Sequence, residues 1–120
     1  MKTVLIVEDV ELNRDLLVQL LQDEYRLLLA QDGQGALRIA REEKPDLILM
    51  DLSLPKLDGW EATRRLKADR ELGRIPVIVL SAHAMRGDEE RARAAGCDDY
   101  LAKPLDETLL FKKLARHLGG

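Results

Sequence analysis

Three acids, a hydroxyl and a lysine draw attention because each follows an apolar run. Glu8 and Asp9 follow Val4-Leu5-Ile6-Val7, Asp51 follows Leu47-Ile48-Leu49-Met50, and Ser81 follows Val77-Ile78-Val79-Leu80. Lys103 closes a weaker run, Asp99 to Ala102. Brought together, the carboxylates of Glu8, Asp9 and Asp51 would repel one another and raise one another's pKa. A hard divalent cation relieves that repulsion. Mg²⁺ takes carboxylate oxygens and keeps several waters. Its double charge and the single charge of Lys103 would bring the group to neutrality. An aspartate neutralised in this way is placed to attack phosphorus, as carboxylates do when they form acyl phosphates. Lys103, with the metal, would stabilise charge on the phosphoryl oxygens in flight, and Ser81 could donate a hydrogen bond to the bound group. Asp51, Lys103 and Ser81 are the candidate catalytic residues.

Such a site needs elements that deliver strand ends to one edge. None of the three strong runs alternates with polar residues, which suits strands covered on both faces, as in a parallel sheet. Arg26 to Gln31 and Asp99 to Ala102 read as edge strands. Helical stripes lie between the runs: Leu16, Leu17, Leu20 and Leu21; Ala36, Leu37 and Ala40 after Asp32-Gly33; Ala62 and Leu66 after Asp58-Gly59. Asp88 to Ala95 is a fourth helix, ending at Gly96. Leu110, Phe111, Leu114 and Leu118 mark a fifth, capped by Asp106. Five β-α units predict an α/β fold: an open parallel sheet with helices on both faces. Ligands bind such sheets outside the carboxyl ends of the strands. That is where Glu8, Asp9, Asp51, Ser81 and Lys103 would converge.

Composition narrows the function classes. The chain has 120 residues, 46% hydrophobic and 34% charged, the profile of one globular domain. A net charge of −3 with no basic stripe argues against direct nucleic-acid binding. The single cysteine, Cys97, excludes a disulfide framework and a cysteine-based zinc site. No apolar run approaches the roughly 20 residues of a membrane span. Met1-Lys2-Thr3 lacks the features of a signal peptide. A cytoplasmic single domain over residues 1–119, with no output domain, is the expectation; Gly119-Gly120 reads as the start of a tail.

Five motifs combine. Glu8-Asp9, the run Asp46 to Asp51, Leu54-Pro55 with Asp58-Gly59, Ser81-Ala82 and Lys103-Pro104 together resemble a two-component response-regulator receiver domain. Each alone is common; all five, in order and at the ends of the correct strands, are specific. The resemblance spans residues 1–119 and implies the flavodoxin-like strand order 2-1-3-4-5. It implies that Asp51 accepts phosphate from a histidine of a sensor kinase or a histidine-phosphotransfer domain. It implies that Asp9 ligates Mg²⁺ directly, Glu8 through a water, and Ser53 through its backbone carbonyl. Lys103 would contact the phosphoryl group, Ser81 would swing toward it, and Tyr100 would rotate inward as a switch. The surface of the fourth helix, fifth strand and fifth helix would then change its preference for a downstream protein target. Kinase or phosphotransfer docking falls near Leu12, Asn13 and Pro104, and the Lys103-Pro104 bond is implied to be cis. A homodimer is left open.

The sequence departs from the family pattern in places. Glu8 stands where Asp is frequent, and its extra methylene suits water-mediated ligation. Leu54 replaces a frequent Met. Ser53 and His83 flank the implied path of an attacking water, and so bear on how long the phosphoryl group survives. None of these removes a chemical role. Tyr100 also fits plain packing, Glu8-Asp9 also fits the acidic start of a helix, and His83 and His117 read as surface or packing residues. Self-phosphorylation and slow self-dephosphorylation are the expected activities, short of a turnover enzyme. Two rivals share the fold. A phosphorylation-independent interaction module would have no affinity for Mg²⁺. A flavodoxin-like cofactor binder would need glycines and hydroxyls after the first strand, where Glu8-Asp9-Val10-Glu11 is acidic.

Overall fold

The computed structural model describes residues 1–52, 59–81 and 88–119. Strands β1 (Thr3–Val7), β2 (Arg26–Ala30), β3 (Leu47–Asp51), β4 (Val77–Ser81) and β5 (Asp99–Ala102) pair in parallel in the order β2-β1-β3-β4-β5. Helices α1 (Glu11–Leu21), α2 (Gly33–Glu43), α3 (Gly59–Ala68), α4 (Asp88–Ala94) and α5 (Glu107–Leu118) connect and follow them. A short 3₁₀ turn at Leu72–Arg74, which no apolar pattern signals, precedes β4.

The unbroken apolar runs have their cause in two cores, one on each sheet face. Leu5, Val7, Ile48, Met50, Val77 and Val79 point toward α2 and α3, where they meet Ala36, Leu37, Ala40, Ala62 and Leu66. Val4, Ile6, Leu47, Leu49, Ile78 and Leu80 point the other way, toward Leu17 and Leu21 of α1 and Leu110 and Leu114 of α5. Successive strand residues face opposite sides, so a strand buried on both must be apolar throughout. Each large side chain buried this way contributes roughly 1.5–3 kcal/mol.

One expected core residue is not in the core. Leu16 is 53% exposed, whereas Leu17 and Leu21 are buried. A step of one residue turns a helical side chain by about 100°, so one sheet-facing line cannot hold both Leu16 and Leu17. Asp106 caps α5 as expected, accepting the Leu109 amide at 3.1 Å. Asp32 does the same for α2, accepting the Gly35 amide at 2.7 Å. Gly96, at φ +99°, carries the chain from α4 toward β5 in a conformation that favours glycine. Asp58, expected to cap α3, lies outside the described residues.

A Cβ at Gly59 would overlap the Asp51 carbonyl oxygen and the Leu52 Cα. Only glycine lets α3 begin directly against the backbone that leaves β3.

Candidate functional site

Register brings the acids together. Val7 pairs with Met50, so Glu8 and Asp51 leave the sheet side by side. The Glu8 amide bonds the Ala30 carbonyl at 3.0 Å, and the Leu52 amide bonds the Leu80 carbonyl at 3.1 Å. The Lys103 amide bonds the Ser81 carbonyl at 2.7 Å, which carries β5 pairing one residue past the strand. The five residues expected at the carboxyl edge therefore sit there, and the Lys103-Pro104 bond is cis.

One oxygen from each of Glu8, Asp9 and Asp51 lies within 4.8 Å of the others. Glu8, Asp51 and Ser81 are buried, and Asp9 is exposed. The Lys103 ammonium lies 3.0 Å from Glu8 Oε1 and 3.6 Å from Asp51 Oδ2. Burial pushes the Glu8 carboxyl above its ordinary value; the adjacent Asp51 carboxylate pushes it further, and Lys103 pulls it partly back. Glu8 Oε2 is buried with no hydrogen-bond partner among the described residues. A buried acceptor without a donor, in a pocket with more carboxylates than cations, is a place for a metal ion. The donors are all hard oxygens, which fits Mg²⁺.

Of the remaining expected residues, Tyr100 is half-buried and packs against the α2/α3 core, with its hydroxyl buried and unpartnered among the described residues. Leu12 is 79% exposed. Asn13 and Pro104 line a groove of about 260 Å³ with Leu16, Leu20 and Leu105, and its inner wall reaches Glu8 and Lys103. Leu16 and Leu105 were not legible as groove residues in the sequence. Ser53 and His83 lie outside the described residues.

A buried carboxylate outside this cluster was not expected. Asp99 at the start of β5 accepts from Lys113 Nζ at 2.6 Å and from the Tyr100 amide at 2.9 Å. His117 Nε2 lies 3.0 Å from its other oxygen. The i,i+4 spacing of Lys113 and His117 puts both on one face of α5.

The sequence model of the response regulator receiver domain matches residues 4–115. The chain belongs to the response-regulator receiver family. This receiver is 46% identical over 119 residues to DivK, the polar-differentiation response regulator of Brucella anthropi, an alignment covering 98% of this chain and 97% of DivK. It resembles the receiver domain of a Pseudomonas aeruginosa sensor histidine kinase with a TM-score of 0.91 and 41% identity, covering 99% and 98% of the two chains. That crystal structure has a magnesium ion coordinated in its active-site cleft. The chemotaxis response regulator CheY4 of Vibrio cholerae matches with a TM-score of 0.90 and 28% identity over 98% and 99% of the chains. The receiver thus belongs to two-component signalling, where such domains work with histidine kinases and downstream targets. Among its described residues no helix is long and apolar enough to cross a membrane.

Proposed function

We propose that residues 1–119 act as one phospho-acceptor unit, with Asp51 as the acceptor and Mg²⁺ held by Glu8, Asp9, Asp51 and the Ser53 carbonyl. The observation that carries this reading is the packing of three carboxylates within 4.8 Å beside Lys103. An Asp51 oxygen attacks the phosphorus of a phosphohistidine. The new O–P bond forms as the P–N bond breaks, and the imidazole leaves with a proton. The product is an aspartyl phosphate, a mixed anhydride. Lys103 holds Glu8 and Asp51 in position and meets the negative phosphoryl oxygens as they arrive. Mg²⁺, when bound, offsets the carboxylate charge and the charge of the transferred group. Water later attacks the anhydride, releasing inorganic phosphate and restoring Asp51.

Ser81 ends β4 beside Lys103, placed to donate to the phosphoryl group. Tyr100, whose buried hydroxyl has no partner among the described residues, is the residue whose rotation reports phosphorylation to the α4–β5–α5 surface. Donor docking falls on exposed Leu12 and on Asn13 and Pro104, which line an apolar groove that also takes in Glu8 and Lys103. Its occupant is a helix of a histidine kinase or phosphotransfer domain bearing the phosphohistidine. We assign the protein to the cytoplasm, where phosphohistidine made from ATP is available.

The test is incubation with a small-molecule phosphodonor, such as acetyl phosphate, and Mg²⁺. The expected product is a protein-bound phosphate released by hydroxylamine and absent when EDTA is added. Incorporation into Asp51→Asn at the parent's level would assign the acceptor elsewhere.

A further inference from the structure

We infer that Arg14 is a positioning residue for the acidic pair, fixing the backbone of Glu8 and Asp9 for cation binding; this rests on the proposed Mg²⁺ site. The turn from β1 into α1 carries two of the three acids, and its own residues hold it poorly. The N-cap of α1 is Val10, which makes no side-chain cap bond. Ser, Thr, Asp or Asn usually fills that role. The turn is held from its two sides instead. On one side the Glu8 amide donates to the Ala30 carbonyl of β2 at 3.0 Å. On the other, Arg14 Nη1 donates to the Glu8 carbonyl at 3.1 Å. Together these bonds fix both faces of the peptide units flanking Glu8.

The placement follows from helix geometry. Arg14 precedes Leu17 by three residues and Leu21 by seven, so it lies on the stripe that α1 turns toward the sheet. Leu17 and Leu21 are buried there, and Arg14 is half-buried one turn upstream, above the sheet edge. A long cation on an otherwise apolar stripe buries its stem and carries its charged head to a polar target. Here the target is the carbonyl that joins Glu8 to Asp9. Partners that orient ligating groups typically contribute 10- to 100-fold in metal affinity.

The experiment is a calorimetric titration of Mg²⁺ into the parent, Arg14→Met and Arg14→Lys, alongside urea unfolding without Mg²⁺. Methionine keeps much of the stem packing and removes the donors. The expected result for Arg14→Met is an Mg²⁺ dissociation constant raised about tenfold, with an unfolding midpoint close to the parent's. Arg14→Lys, which keeps one donor and the charge, recovers part of the affinity. In acetyl phosphate assays the half-saturating Mg²⁺ rises in Arg14→Met while the rate at saturating Mg²⁺ returns to the parent's. Should the methionine variant aggregate, Arg14→Gln, also neutral, is read by the same criteria. Equal Mg²⁺ affinity in the parent and the neutral variant would overturn the proposal, as would an affinity loss matched by an equal loss of stability. Failure of the parent itself to bind Mg²⁺ would overturn the metal-site reading, and the role of Arg14 with it.

Discussion

Asp99 and Glu8, two of the buried carboxylates in this small domain, each sit beside a lysine, and they end in opposite electrostatic states. Asp99 is 4% exposed and Glu8 is fully buried. Burial alone would raise both. At Asp99, bonds from Lys113, His117 and the Tyr100 amide outweigh burial and bring the carboxyl from 3.8 down to about 2. At Glu8, burial and the neighbouring Asp51 carboxylate outweigh Lys103, and the carboxyl rises. The protein supplies Asp99 with all the donors it needs, which makes it a fastening between β5 and α5. Among the described residues, Glu8 Oε2 has none. Like charges gathered without enough donors mark the place where a ligand from solution completes the structure.

The contrast breaks most clearly through stability. Lys113→Met should lose about 2 kcal/mol by urea denaturation, since it strips a charged donor from a buried carboxylate. Its Mg²⁺ affinity should stay at the parent's. A change in Mg²⁺ affinity of comparable size would show that the two clusters are not independent.

Acid titration separates them by sign. Asp99 is depressed in the fold, so its stabilisation is present above the ordinary carboxylate value and is lost as pH falls from about 4 toward about 2. Glu8 is raised, so the unfolded chain ionises it first, and stability falls as pH rises above 4.5. Unfolding midpoints measured from pH 2 to 7 should lose the acid limb in Asp99→Asn and the high-pH decline in Glu8→Gln.

At neutral pH the same logic predicts that Glu8→Gln is more stable than the parent without Mg²⁺, because a neutral amide replaces a disfavoured buried charge. The variant should bind Mg²⁺ about tenfold more weakly. Loss of stability in Glu8→Gln would mean that Lys103 already satisfies the carboxylate.

The smallest effect concerns α4, whose described side chains are all exposed. Arg91 lies 4.7 Å from the Trp60 ring centroid, joining α4 to the start of α3. Arg91→Ala should cost about 0.5–1 kcal/mol and alter Trp60 fluorescence. Unchanged fluorescence would remove this link.

The sheet was legible because a parallel strand buried on both faces leaves an unbroken apolar run, and three such runs are present. Strand order was not in those runs; it came through the family resemblance and matches the pairing observed. The acidic edge was legible because Glu8, Asp9, Asp51 and Lys103 each terminate a strand. Burial of Glu8 was not, since its neighbours Asp51 and Lys103 are distant in sequence. The position of Leu16 was not legible because four leucines in six residues do not reveal which line faces the sheet. Nor was the Asp99 fastening, whose partners lie 14 and 18 residues away on α5. Arg14 looks in sequence like an ordinary helix cation, although its three-residue spacing from Leu17 places it on the buried side.

The most direct test is to locate the bond itself. After transfer from a phosphohistidine donor in Mg²⁺, borohydride reduction converts an aspartyl phosphate to homoserine, and peptide mass spectrometry finds its position. The account predicts homoserine at residue 51 and at no other aspartate. Homoserine elsewhere, or unreduced Asp51 in a protein that carries stoichiometric phosphate, would contradict it.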